Sequence, residues 1–400
     1  MKEKNNRRAF MAQLGLSTIP FVFPKIEKNA IAFEDELPAN GTEAQSMINF
    51  IYDGLELSPD AYLQKLKEIS GSQPIQPDFY GSGGVTKLLE EKFAKLTGKE
   101  KAIYLPTGTM ANQLALKLLN QHNTKVIVPE NSHVYRDEAD AAQSVHGKRL
   151  IPVGIGKPYY NLADMEEAIR YLDENEVFKS GLGTVLIESP VRRANGAFVP
   201  METVREISKY CKEHHYKMHL DGARIHIASA FSGVSISEYA SYFDTVYISL
   251  YKYLNAGGGA MLCGDAEIID QVGHQIKIFG GTVYQSWFNT AMANHYLDGI
   301  DDRWKQVVGI SKSMVADLNQ IKGVTLTAIP NGSNIFLMKL SNDIDLKKLA
   351  NYLYKEHQIM LGRATKEGIV KFAFNDSLLT RAYPQVIEAW KKGIEQARNS

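Results

Sequence analysis

The chain has 400 residues, 44% of them hydrophobic and 22% charged, which is material for two or three domains around a large core and speaks against a disordered protein. Lysine plus arginine and aspartate plus glutamate balance at 45 each, so no net field draws the molecule to nucleic acid or to an anionic membrane, and a small-molecule partner is the better expectation. Its two cysteines, Cys211 and Cys263, are too few and too far apart for a disulfide framework or a zinc site.

In chain order, the first readable element is the N-terminus. Arg7 and Arg8 stand just ahead of Phe10 and a mostly apolar run, AQLGLSTIPFVFP, an arrangement that resembles a bacterial twin-arginine export signal. Ala30 and Ala32 form a small-x-small cleavage site, so residues 1–32 are expected to be a signal peptide and the exported, periplasmic chain to begin near Phe33. The alternative is a basic tail on a cytoplasmic protein. The apolar run is too short to span a bilayer as a stable helix. Residues 33–84 carry more loop signals, including QPDFYGSGG, and are expected to form an arm on the large domain or on a partner subunit.

From about residue 85, amphipathic helices alternate with short apolar runs, KVIVP, TVLIES, YKMHLD and TVYISL, which read as buried strand cores. Stretches such as NLADMEEAIRYLDENE and METVREISKYCKEHH lie between them at helical period. This alternation predicts an α/β domain over 85–310 with a mostly parallel sheet covered on both faces. IFLMKL, GIVKFAF and a terminal amphipathic helix predict a smaller α+β domain over 311–400.

In open α/β sheets a ligand sits beyond the carboxyl ends of the strands, so the polar residues there are the first candidates. Lys252 follows the strand TVYISL and enters a glycine turn, which presents its ammonium at the sheet edge. Asp221 ends YKMHLD, and an acid buried there needs a partner such as a protonated ring nitrogen. In LPTGTMANQLALKLL, Gly108 and Thr109 directly precede a predicted helix, whose free amides and dipole make an anion site. His133 follows KVIVP and is placed to stack on an aromatic ring or to move a proton.

These features occur in one order over about 150 residues. That order, carried by YGSGGVTKLLEEKFAKLTGKEKAIYLPTGTMANQLAL, NSHVYRDEADAA, IESPVRRANGAFVP, HLDGARIHIA and SLYKYLNAGGGAML, resembles the threonine aldolase and β-eliminating lyase family of fold-type-I pyridoxal-phosphate enzymes. The resemblance implies that Lys252 holds pyridoxal 5′-phosphate as a Schiff base and that Asp221 keeps the pyridine nitrogen protonated. Gly108 and Thr109 would bind the phosphate, His133 would stack on the ring, and Arg224 would hold the substrate carboxylate. A Schiff-base lysine attacks as its free base, so a pKa lowered toward neutrality is expected of Lys252. The resemblance also implies an amino-acid substrate and a homodimer or homotetramer.

Departures from the family pattern surround the substrate. In threonine aldolases the stretch matching SPVRRANG carries a histidine beside the substrate hydroxyl; here that position is Val191, followed by Arg192 and Arg193, which are candidates for an acidic substrate side chain. The serine that usually precedes the cofactor lysine is Tyr251, so the phosphate cup must draw on Ser249 or the Tyr251 hydroxyl. IYDGLELSP around Asp53 stands where the family has its opening Ser-Asp-Thr signature, and Tyr284 replaces the arginine expected after Gly280 and Gly281. For the second carboxylate-binding arginine the candidates are Arg363 and Lys371. Three functions remain open on this reading: aldol-type cleavage of a β-hydroxy amino acid to glycine and an aldehyde, β-elimination or replacement, and binding of an amino acid without turnover.

Overall fold

The computed structural model of the chain describes residues 47–398; the twin-arginine-like segment and the first part of the expected arm lie outside the described residues. The central element is a seven-stranded sheet built from β2 (Lys101–Leu105), β3 (Lys125–Pro129), β4 (Arg149–Val153), β5 (Leu182–Glu188), β6 (Lys217–Asp221), β7 (Thr245–Ser249) and β8 (Ala260–Gly264). Their spatial order is β2-β8-β7-β6-β5-β3-β4, with β8 running antiparallel to both neighbours and the other adjacent pairs parallel. The α/β architecture expected from the alternation is therefore what the chain adopts. Residues of β3, β7 and β8 are buried on both faces, which is why these segments read as continuous apolar runs rather than as an alternation.

Parallel pairing brings the carboxyl ends of β3, β5, β6 and β7 to one edge. In register, Glu188 lies opposite Asp221, and Asp221 opposite Tyr247. Helix α3 (Gly108–Asn120) points its N-terminus at the same edge, after α1 (Pro59–Ser72) and α2 (Gly84–Thr97) have packed nearer the N-terminus of the fold. It starts earlier than the sequence suggested: Thr107 is the cap, its hydroxyl accepting from Met110 N at 3.1 Å, so Gly108 and Thr109 are the first helical residues rather than the ones before them. The buried stripe of Ala111, Leu114 and Ala115 holds α3 against the sheet.

Beyond a helix over Ile300–Asn319, the C-terminal part forms an antiparallel sheet, ordered β12-β10-β9, from β9 (Val324–Ala328), β10 (Ile335–Leu340) and β12 (Ile369–Ala373). The described part of the expected arm is more ordered than its loop signals implied. It contains α1, capped by Ser58 with Pro59 in its first turn, and a short strand β1 (Ile48–Asn49) that pairs in parallel with β11 (Ile359–Met360). Phe50 then stacks on Phe372 at 3.9 Å and meets Trp390 edge-on at 5.9 Å, so this segment joins the C-terminal core as well as crossing the sheet edge.

Candidate active site

Lys252 leaves β7 in a tight turn that is closed from outside by residues 53–55. A Cβ on Gly54 would fall 2.5 Å from the Lys252 carbonyl oxygen, and Leu55 N donates to Asn255 Oδ1 at 2.8 Å. Burial, with the nearby Arg224 charge, pushes the Lys252 ammonium down to about 7, which makes a large share of it free amine at neutral pH.

Asp221, at the end of β6, accepts from Ala223 N at 3.2 Å and from Asn112 Nδ2 at 2.9 Å. Asn112 lies one turn into α3. Its other amide hydrogen goes to Glu138 Oε1 at 2.8 Å, and its Oδ1 faces His219 Nε2 at 3.0 Å. An amide oxygen only accepts, so His219 carries its proton on Nε2, and Nδ1 accepts from the Thr245 hydroxyl at 2.8 Å. Burial takes His219 down to about 4, which keeps this chain neutral. The result is an Asp221 fixed from behind, with lone pairs left on both oxygens for a donor in the site.

His133 donates from Nδ1 to Glu138 Oε1 at 2.9 Å, and its backbone N–H is held by Glu188 Oε2 at 2.6 Å. Burial opposes the imidazolium, but the Glu138 hydrogen bond and the Asp221 and Glu138 charges outweigh it and raise the His133 pKa. Desolvation pushes Glu188 up to about 7. Polar atoms of His133, Glu138 and Asp221 all lie within 4.8 Å of one another. These groups have the chemistry of a metal cluster, but the Asn112 amide already donates to both carboxylates.

Gly108 and Thr109 have backbone amides with no intrahelical acceptor, the basis of an anion site. The missing Cβ of Gly108 also serves the protein itself: one placed there would be 2.0 Å from the Tyr247 hydroxyl. Close to that phenol, the fully buried Ser249 hydroxyl is not aligned for a hydrogen bond, a vacant donor on the same side as the helix start. Arg224 gives one edge to Asp53, with Nε and Nη2 both 2.8 Å from Oδ2, and Nη1 is left for another acceptor. Lys371 is on β12 and Arg363 is exposed on the link between β11 and β12. Val191 is fully buried, with no titratable group to offer.

The Lys252 amine, the backed Asp221 carboxylate, the free amides of α3 and the buried Ser249 hydroxyl are a donor set that fits pyridoxal phosphate: Asp221 would hold the ring nitrogen, α3 and Ser249 the phosphate, and Lys252 the aldehyde carbon. Sequence reasoning missed Asn112, Glu138, Glu188, His219 and the Asp53 partnership. Glu188 had a usable signal, since it ends TVLIE as Asp221 ends its own strand.

The sequence profile of the β-eliminating lyase family matches residues 73–341. A low-specificity L-threonine aldolase from Candida albicans is 30% identical over 284 residues, covering 70% of this chain and 75% of the relative. Among solved structures, the aromatic amino acid β-eliminating lyase/threonine aldolase from Exiguobacterium sp. 255-15 superposes with a TM-score of 0.73 at 23% identity, covering 89% of this chain and 99% of that one. The L-allo-threonine aldolase from Listeria monocytogenes gives 0.72, also at 23% identity, over 89% and 98%. At that identity the superpositions speak to the fold alone.

Proposed function

The chain belongs to the β-eliminating lyase family, and from that premise we propose that it is a pyridoxal-phosphate-dependent lyase cleaving the Cα–Cβ bond of a β-hydroxy amino acid to glycine and an aldehyde. The observation that carries the reading is the convergence of Lys252, Asp221 and His133 on one sheet edge, with the lysine brought to about 7. Pyridoxal phosphate, when bound, supplies a sink for the electron pair left on the α-carbon.

The protein's own work is positioning and proton transfer. With its pKa at about 7, Lys252 has a substantial free-base fraction at neutral pH, which would let it bond the cofactor and, once released, take up a proton. Asp221, kept in place by Asn112 and Ala223, would keep a proton on the ring nitrogen. His133, tied by Glu138 and Glu188, would stack on the cofactor ring. The free edge of Arg224 takes the α-carboxylate and so fixes which bond at the α-carbon stands ready to break. Val191 cannot accept the β-hydroxyl proton; Lys252 and Glu188, both near 7, are with His133 the titratable groups at this edge that could receive it.

The test is a product assay on cofactor-loaded protein with L-threonine, L-phenylserine and β-chloroalanine. Glycine plus aldehyde supports cleavage; pyruvate plus ammonia from the chloroalanine alone replaces it with β-elimination; binding without product reduces the protein to a carrier. Lys252→Ala is expected to abolish the visible absorbance of bound cofactor, and its persistence sinks the assignment.

We also infer a homodimer or homotetramer. An aromatic cluster of Phe79, Tyr80 and Tyr284, with Lys277 over the Tyr80 ring, stands exposed near the α3 end of the site, and such patches are usually covered by a partner. Light scattering tests this. Export by the twin-arginine route is the proposal for residues 1–32, and N-terminal sequencing of the functional protein decides it: an intact Met1 ends the idea.

A further inference from the structure

Asn112, fully buried in the second turn of α3, has every polar side-chain atom engaged inside the site. Its two amide hydrogens go to two different carboxylates, Glu138 Oε1 at 2.8 Å and Asp221 Oδ2 at 2.9 Å, and its Oδ1 accepts from His219 Nε2 at 3.0 Å. Those carboxylates serve different groups. Glu138 Oε1 also takes the His133 Nδ1 hydrogen at 2.9 Å, whereas Asp221 is held on its other oxygen by Ala223 N at 3.2 Å. Polar atoms of His133, Glu138 and Asp221 lie within 4.8 Å of one another, so two buried acids stand close together with one amide donating to both.

The direction in which that amide faces matters to both. Turned over, its oxygen would confront the two carboxylates, and each would lose a donor. His219 decides the direction from behind. It lies two residues before Asp221 on the same face of β6, opposite Thr245 of β7 in register, and both are fully buried. The Thr245 hydroxyl, 2.8 Å from Nδ1, can donate or accept and so suits either tautomer of the ring. The Asn112 oxygen suits only the tautomer with its hydrogen on Nε2. Burial takes His219 down to about 4, so it orients the amide as a neutral donor and adds no positive charge to compete with a cation at Asp221.

We propose that Asn112 is a positioning residue shared by two working groups, Asp221 and His133, and that His219 is the donor that keeps its amide facing them. The inference rests on the reading above, in which Asp221 meets the ring nitrogen of pyridoxal phosphate and His133 stacks on the ring. Its consequence is that the two groups are not adjustable separately. Whatever turns the amide loosens the hold on Asp221 and, at once, changes how Glu138 shares a proton with His133. The other charged groups that face His133 are Asp137, Glu188 and Lys252, and Asn112 hydrogen-bonds to none of them.

His219→Leu removes the donor, and His219→Gln returns it, because the glutamine amide nitrogen can stand where Nε2 stood. Two quantities are followed in each protein: pyridoxal-phosphate affinity by absorbance titration, for the Asp221 arm, and NMR titration of the His133 imidazole without cofactor, for the Glu138 arm. In His219→Leu the affinity should fall about tenfold, as expected for one hydrogen bond to a charged group. The His133 and Glu138 pair should keep its proton to a pH higher by roughly one unit, because Glu138 has lost a donor. His219→Gln should recover most of both changes. Should His219→Leu fold poorly, Asn112→Asp sets a third acceptor against the two carboxylates at almost unchanged volume and should move both quantities in the same directions. Movement of one quantity alone, of neither, or of both without recovery in His219→Gln overturns the proposal. Asp221→Asn separates it from the reading it rests on. If that variant binds the cofactor as tightly as the unaltered protein, the ring nitrogen is not at Asp221 and the reading fails. If it binds weakly while His219→Leu leaves both quantities unmoved, the Asn112 proposal alone fails.

Discussion

Gly108→Ala tests the site from its phosphate end. The new Cβ would lie 2.0 Å from the Tyr247 hydroxyl oxygen, 2.5 Å from Cζ and 3.1 Å from Cε2. Relief requires a separation of roughly 1 Å or more. Tyr247 cannot supply it, being 3% exposed and packed among Leu105, Ala111, Leu114, Ala223 and Leu262. The first turn of α3 must move instead, taking the Gly108 and Thr109 amides from the phosphate position and pulling on Asn112, which holds Asp221. Overpacking of this kind costs about 1–3 kcal/mol. The expected result is a melting temperature lowered by a few degrees in the cofactor-free protein and a larger loss of cofactor affinity by absorbance titration. Adding Tyr247→Phe should recover only part, because the ring carbon at 2.5 Å remains. A Gly108→Ala protein that melts and binds cofactor like the unaltered one refutes the reasoning.

Lys252 sets the pH dependence of cofactor capture. With the amine at about 7, the rate of incorporation into cofactor-free protein should reach half its maximum near pH 7; a rate still climbing tenfold per unit through pH 9 would show an ordinary lysine. His226 sets an acid limit on stability. Burial takes it down to about 3, against about 6.5 in the unfolded chain, so between those values the unfolded state binds the extra proton and stability falls as pH drops. In His226→Asn this linkage is gone. The stability gap between the two proteins, measured by denaturant unfolding, should narrow below pH 6.5 by about 1.4 kcal/mol per unit, and a constant gap counts against a neutral buried imidazole.

What the sequence disclosed depended on how many residues a feature needs. Lys252, Asp221 and His133 were legible because one rule, polar residues just past an apolar strand, operates at single positions. Glu188 obeys the same rule, yet a carboxylate there has no meaning until β5 pairs with β6 and sets it opposite Asp221. Asn112 and Glu138 were hidden because their roles exist only across elements: one amide on α3 bridges a strand end and a residue just past the short helix His133–Arg136. The cause of Gly108 was half legible, since a glycine at a helix start suggests a bound anion, whereas Tyr247 reaches it from another strand. Ile48–Asn49 carries no periodicity to read, being two residues long and paired with a segment near the other end of the chain. In α1 the signals, Ser58 before Pro59, were present and outweighed by the loop-rich composition around them.

The loop that departs from the threonine aldolase pattern is also the loop that ties the large sheet to the C-terminal part. Val191 N donates to Ala197 O at 2.7 Å, and the turn docks through Ser333 Oγ on Gly196 O at 2.6 Å and Phe198 N on Asn331 O at 2.8 Å. A Cβ on Gly196 would fall 2.6 Å from Ser333 Oγ, so this docking leaves no slack. Arg192 is therefore positioned by β5 through Glu188 and by the C-terminal part through its own loop, the part that also carries Lys371. On the proposed function, Lys252, Asp221 and Arg224 serve the α-carbon end of a substrate at the sheet edge, away from this loop's docking contacts. Val191→His alone should then fail to produce an ordinary threonine aldolase, since the imidazole would enter a fully buried site in a loop already held by Ser333 and Asn331, and a glycine-release assay on L-threonine that shows a gain refutes this.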